Sequence, residues 1–139
     1  MRESEMFEPF WCWLLRVGRV RSGSVFVREL PWLGRRVDLA TLTASGSLTA
    51  YEFKVDNNLR AIEQASYNAH AFHRSYVVTM TVPSSQNLEI AVMRGVGVIA
   101  LSSTDEGVRT ICRAQPQASS GASGRLRDAI RAQGCTIDV

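Results

Sequence analysis

Apolar residues in the first part of the chain recur at helical spacing. In SEMFEPFWCWLLRVGRV (4–20), Phe7, Phe10, Trp11, Leu14 and Leu15 fall on one face, Ser4 stands at a capping position, and Glu5 and Glu8 lie near the positive end. The pattern then shortens to strand length in SVFVREL (24–30), followed by a turn rich in Pro, Gly and Arg, PWLGRR (31–36). Two further strands, VDLATL (37–42) and LTAYEFKV (48–55), flank the turn ASGS (44–47). Helical spacing returns over 57–74, with Asn57 or Asn58 as cap and about four turns predicted. A continuous apolar strand (75–82) stops at Pro83, a capped helix (84–95) ends in Gly95, and a second buried strand (96–103) follows. Residues 107–116 predict an edge strand, and RLRDAIRAQ (125–133) a short helix.

The order α-β-β-β-α-β-α-β makes the fold class α/β. The early strands form an antiparallel hairpin and the later ones alternate with helices, which predicts a mixed central sheet flanked by helices. A chain of 139 residues suits one compact domain, assigned to 1–116, with a Ser/Gly/Ala linker at 117–124 and a C-terminal helix and tail at 125–139.

Composition changes this picture little: 45% apolar and 21% charged residues are ordinary for a globular chain and exclude a disordered one. The charge is more informative. Fifteen arginines stand against the single lysine Lys54, with a net charge of +3, and guanidinium binds phosphate and carboxylate bidentately. High genomic GC content produces the same bias. Cys12, Cys112 and Cys135 have no CxxC or metal-type spacing and read as reduced thiols. The start MRESE is too acidic for a secretion signal and FWCWLL too short to span a bilayer, so a soluble cytoplasmic protein is expected.

The chemistry concentrates in VDLATLTASGSLTAYEFKVDNN (37–58), where charges interrupt buried-looking strands. Strand alternation puts Glu52 and Lys54 on one face. A three-residue loop Ala44-Ser45-Gly46, with glycine left-handed, opposes Thr43 to Ser47 and, five pairs out, Asp38 to Glu52. Opposed residues share a face with Cβ atoms roughly 5 Å apart. Two carboxylates that close repel unless a cation joins them, and their oxygens suit Mg²⁺ or Mn²⁺. A bare Glu-x-Lys is most often an exposed ion pair on a strand; Asp38 on the same face tilts the reading toward a site.

Asp38, then Glu52-Phe53-Lys54 after a hairpin, then a helix bearing Gln64 and Tyr67, resembles the PD-(D/E)XK phosphodiesterase superfamily, over about residues 3–101. The resemblance implies a restriction-endonuclease-like αβββαβ core and a metal-dependent nuclease, a hydrolase cutting phosphodiester bonds in DNA, with RNA also open as substrate. It assigns Asp38 and Glu52, with the Phe53 main-chain carbonyl, to a Mg²⁺ or Mn²⁺ ion, and Lys54 to the attacking water. Gln64 supports the site, Tyr67 stands one residue short of the commoner spacing, and Glu5 is the choice for a first-helix metal ligand, with Glu3 and Glu8 as rivals. Val37 replaces the motif's proline, which is often missing in the superfamily.

Arg35, Arg36 and Arg60, with Arg28 and Arg74, flank the site along the chain and could hold a nucleic-acid backbone, as could Tyr67. Solvated loop charge explains the arginines equally well. His70 and His73 lack a third ligand at useful spacing and read as a helix-surface pair. Ser102-Ser103 shows no base partner. Trp11, Trp13 and Trp32 could stack on bases, although Trp11 sits in the apolar stripe. The alternative function is an inactive nuclease-fold module that binds nucleic acid or a protein partner, alone, as a homodimer or within a larger complex.

Overall fold

The computed structural model describes residues 2–56, 58–101, 107–117 and 123–138. A 3₁₀ turn (Glu3–Glu5) leads into α1 (Phe7–Arg16), and three strands follow: β1 (Val25–Trp32), β2 (Arg35–Leu42) and β3 (Leu48–Lys54). Then come α2 (Leu59–Asn68), β4 (Arg74–Thr79), α3 (Ser85–Met93), β5 (Gly97–Leu101), β6 (Val108–Cys112), α4 (Ser123–Gln133) and the two-residue β7 (Cys135–Thr136). One seven-stranded mixed sheet runs β6-β5-β4-β3-β2-β1-β7. Its parallel pairs, β3/β4 and β4/β5, are those bridged by α2 and α3, and the remaining pairs are antiparallel. This is the predicted α/β order with its αβββαβ core.

Alternation divides the core between the two faces of the sheet. Leu39, Tyr51, Phe53, Tyr76, Val78 and Ile99 pack against the apolar stripe of α1, Phe7, Phe10, Trp13 and Leu14. Here Phe10 meets Tyr51 and Phe53 edge to face. Trp13 is buried, and Trp11 packs between Phe7 and Phe26. On the other face, Ala40, Leu42, Leu48 and Ala50 lie under α4 through Leu126 and Ile130, while Val77 and Val98 lie under α2 and α3. With β7 paired to Val25 and Phe26, the C-terminal segment closes the same core. Its helix starts at Ser123, two residues before the predicted one; most of the expected linker, residues 118–122, lies outside the described residues, as do Asn57 and Ser102-Ser103.

Two elements differ from their predicted bounds for physical reasons. PWLGRR is mostly strand: Pro31 pairs with Arg36 and Trp32 with Arg35, leaving Leu33-Gly34 as a two-residue turn. Pro31 is tolerated because β7 reaches no further along β1 than Phe26, so no ladder donor is needed on its outer side. Helix α2, capped by Asn58 Oδ1 accepting from Ala61 N at 2.9 Å, ends at Asn68, well short of residue 74. Phe72 must reach the core, and His73 binds the β3 backbone: its N–H donates to Leu48 O at 3.0 Å, and its Nδ1 accepts from Leu48 N at 2.8 Å. Burial, then Arg127 and Arg74, hold the His73 pKa below its ordinary value, which keeps Nδ1 free to accept. His73 is thus a strand-end clamp.

Both turn residues of the first hairpin have positive φ, Leu33 at 50° and Gly34 at 76°. A leucine there carries a steric penalty of about 1 kcal/mol, and its side chain is 76% exposed, so it packs on little. Leu33→Asn should therefore stabilise the fold by about 1 kcal/mol, a rise of about 2–5 °C in Tm. An unchanged or lowered Tm in thermal unfolding would contradict the turn geometry.

Candidate active site

The β2–β3 hairpin has the register that its turn chemistry predicts. Gly46 is left-handed at φ 95°, Thr43 N donates to Ser47 O at 3.0 Å, and the ladder runs from Leu42↔Leu48 to Leu39↔Tyr51. One rung further, the same register opposes Asp38 to Glu52. At that rung the backbone ladder gives way to a side chain: Phe53 N donates to Asp38 Oδ2 at 2.8 Å.

The neighbouring strand shows how Asp38 is released. The β1–β2 pairing steps from Arg28↔Leu39 to Leu30↔Val37, passing over Glu29 and Asp38. Glu29 has φ 54°, a left-handed conformation costly for a residue with a Cβ. The side-chain alternation resets there: Val27 and Leu30, three apart, enter one core cluster, as do Ala40 and Val37. An irregularity of this kind re-aims a side chain, here the Asp38 carboxylate, toward the next strand.

Glu52 is 5% exposed. Its carboxyl lies beside that of Asp38, and its Oε1 accepts from Asn68 Nδ2 of α2 at 2.9 Å. Two carboxyls in contact need a shared proton or a cation between them. Burial first, and then the hydrogen bond and charge of Asp38, push Glu52 up from 4.5 to about 8, against the opposing pull of Asn68 and Lys54. Lys54, 31% exposed, follows on the same face, with its Nζ 4.0 Å from Glu3 Oε1. The Glu5 carboxylate instead accepts from Arg2 N at 3.4 Å and is exposed, as is Glu8. Of the three acidic residues considered in the first helix, Glu3 stands beside the Lys54 ammonium. Phe53 buries its ring against Phe7 and Phe10, leaving its carbonyl in the main chain between Glu52 and Lys54.

A cavity of about 300 Å³ opens over Glu52, lined also by Gln64, Asn68, Arg35 and Arg36. Asp38 does not line it, being turned toward Phe53. Gln64 Oε1 is buried with no hydrogen-bond partner, an acceptor awaiting a donor or a cation. Arg35 and Gln64 also line an adjoining cavity of about 340 Å³, with Arg60, Arg94, Tyr67, Glu63 and His70. There the Arg35 guanidinium lies 3.9 Å over the Tyr67 ring. Arg36 reaches Glu29 at 3.9 Å, both well exposed, an ion pair of little energetic weight. Glu52 thus opens onto a cavity that adjoins, through Arg35 and Gln64, one carrying Arg60, Arg94 and Tyr67, with Asp38 and Lys54 beside Glu52 but outside the lining.

Asn68 was not among the residues expected at the site. Its signal was present: it falls in the α2 stripe Ala61, Ile62, Ala65 and Asn68 that faces the sheet, four residues after Gln64. A polar side chain on a buried stripe requires a partner. The donor set at Asp38, Glu52, Gln64 and the Phe53 carbonyl is all oxygen and twice anionic, which fits a hard divalent cation. Among the described residues, no group of three or more His, Cys, Asp or Glu side chains converges on a metal position.

Neither a protein-family model nor a curated protein sequence matches the chain. Solved structures do. The protein SPO1766 of Silicibacter pomeroyi, of unknown function, is 16% identical with a TM-score of 0.68, over 95% of this chain and 86% of that one. A repair endonuclease from Pyrococcus abyssi is 18% identical with a TM-score of 0.52, over 75% of this chain and 49% of that one. The fold is restriction-endonuclease-like. The chain spans about half the length of the endonuclease. Among the described residues no helix is long and apolar enough to cross a membrane.

The Glu52 proton links stability to pH. The unfolded chain releases it near pH 4.5 while the folded chain holds it to about 8, so the native state loses stability as pH rises through that window. Without divalent cations, wild-type Tm should fall relative to Glu52→Gln across this range and run parallel to it above. Parallel Tm curves throughout would mean that the fold does not hold the Glu52 proton.

Proposed function

We propose that the protein is a metal-dependent nuclease of the PD-(D/E)XK superfamily, hydrolysing phosphodiester bonds in DNA. The observation that carries this reading is the contact between the Asp38 and Glu52 carboxyls, with Lys54 on the same face and an arginine-lined cleft leading away. Asp38, Glu52 and the Phe53 carbonyl would hold Mg²⁺ or Mn²⁺. When bound, such an ion supplies positive charge for the phosphoryl group and acidifies water.

The chain's own residues do the rest. Asp38 is fixed by the Phe53 N–H and Glu52 by Asn68, so both carboxylates are oriented before substrate arrives. Lys54 holds the attacking water by hydrogen bonding and offsets negative charge as oxygen adds to phosphorus and the ester oxygen leaves. Gln64 offers its free Oε1 at the cavity wall. Arg35, Arg60 and Arg94 bind backbone phosphates along the cleft, and Tyr67, 61% exposed and stacked under Arg35, offers the face of a ring at its mouth.

A second reading, a nuclease-fold module that holds nucleic acid without cutting it, is favoured by one fact: the acidic ligand set among the described residues stops at two carboxylates. Turnover separates the two. With Mg²⁺ or Mn²⁺ the wild-type protein should degrade DNA, and Asp38→Ala and Lys54→Ala should each lower the rate at least about 100-fold with the fold intact by circular dichroism. No cleavage of plasmid, single-stranded or branched DNA with either ion, alongside retained DNA binding, would favour the binding module.

A further inference from the structure

On the sheet face opposite Glu52 lies a larger cavity, of about 460 Å³. Its floor is two stacked tyrosines, Tyr51 on β3 and Tyr76 on β4, with ring centroids 5.5 Å apart at 17°. The close fit depends on Gly97: a Cβ there would come within 2.3 Å of the Tyr76 ring and 2.6 Å of Ala114 N. Three arginines, Arg19, Arg74 and Arg113, line the cavity, and among the described residues no acidic side chain does. None of the three forms an ion pair with a carboxylate among the described residues.

Arg19 is held in place rather than free in solvent. Its guanidinium lies 5.1 Å over the Trp13 ring and 5.3 Å over the Tyr76 ring, donates to Thr110 Oγ1 at 3.3 Å, and stands near the Tyr51 hydroxyl. Burial raises the Tyr51 pKa well above its ordinary value, so the phenol stays neutral and does not compensate the arginines. Positive charge without a counter-charge among the described residues, on a pre-ordered guanidinium, suits an anion. Thr43, Ser47 and Thr49 add hydroxyls along the wall. The tyrosine rings are each 3% exposed, so the site offers hydrogen bonds and little stacking surface.

We propose that this cavity is a second ligand site, separate from the carboxylate pair, that binds a sugar phosphate: a phosphate monoester on a hydroxyl-rich frame. Arg19, Arg74 and Arg113 take the phosphate, and Tyr51 and Thr49 meet the hydroxyls. The volume exceeds the needs of a lone phosphate ion and lies in the range of small-molecule sites. The inference does not rest on nuclease activity, because neither Asp38 nor Glu52 lines this cavity.

Isothermal titration of the full chain in EDTA tests it, with ribose 5-phosphate, ribose and adenosine 5′-monophosphate as probes. Saturable binding of ribose 5-phosphate is expected, with none for ribose and no gain for the nucleotide. Arg74→Ala and Arg113→Ala, at exposed positions, should each weaken binding at least tenfold with Tm retained, while Glu52→Gln leaves it unchanged. Absence of saturable binding, binding unchanged in both arginine variants, or binding lost in Glu52→Gln would overturn the proposal. Tighter binding of a 5′-phosphorylated oligonucleotide through the same arginines would also overturn it, reassigning the cavity to nucleic acid.

Discussion

Two carboxyl groups touching inside a sheet are unfavourable unless something holds them there, and in this protein much of the architecture does so. The left-handed Gly46 sets the hairpin register that opposes Asp38 to Glu52. The break in alternation at Glu29 turns Asp38 toward the Phe53 N–H, and Asn68 reaches down from α2 to hold Glu52. Each device limits the escape of one carboxyl from the other. The cost appears in the raised Glu52 pKa and in a non-glycine residue at φ 54°. Strain and like-charge contact concentrated at one point are characteristic of sites where a ligand completes the charge balance.

The sheet then keeps two kinds of chemistry apart. Strand alternation sends Glu52 to the α2 face and its neighbour Tyr51 to the α1 face. On the first face, acidic groups meet a cleft lined by Arg35, Arg60 and Arg94, which suits a polyanion approaching a cation. On the second, arginines stand over buried phenols with no acidic side chain among the described lining residues, which suits an anion directly. With one lysine in the whole chain, these positive surfaces are guanidinium surfaces, planar and strongly directional.

Much of this was legible in the sequence because local rules govern it. Turn chemistry at Ala44-Ser45-Gly46 and period-two alternation were enough to set Asp38 against Glu52 and Lys54 beside them. Helix bounds were less legible: α2 ends early because Phe72 and His73 are claimed by the core and by Leu48, both distant in sequence. Asn68 was missed because its partner lies on another strand, although its place on an apolar stripe signalled one. The reset at Glu29 and the closure of the core by α4 and β7 likewise depend on tertiary pairing that no local pattern encodes. Which first-helix acid stands beside Lys54 was decided by the 3₁₀ turn, which brings Glu3 there and leaves Glu5 to the Arg2 N–H.

The pairing of Asp38 with Glu52 is meaningful for function if a cation can be held between them. A crystal soaked in Mn²⁺ above pH 8, with anomalous scattering recorded at the manganese edge, reads this directly. A single anomalous peak bridging the two carboxylates, and absent from Glu52→Gln crystals, is the expected result. A wild-type map with no peak there, with the two carboxyls still side by side, would contradict it.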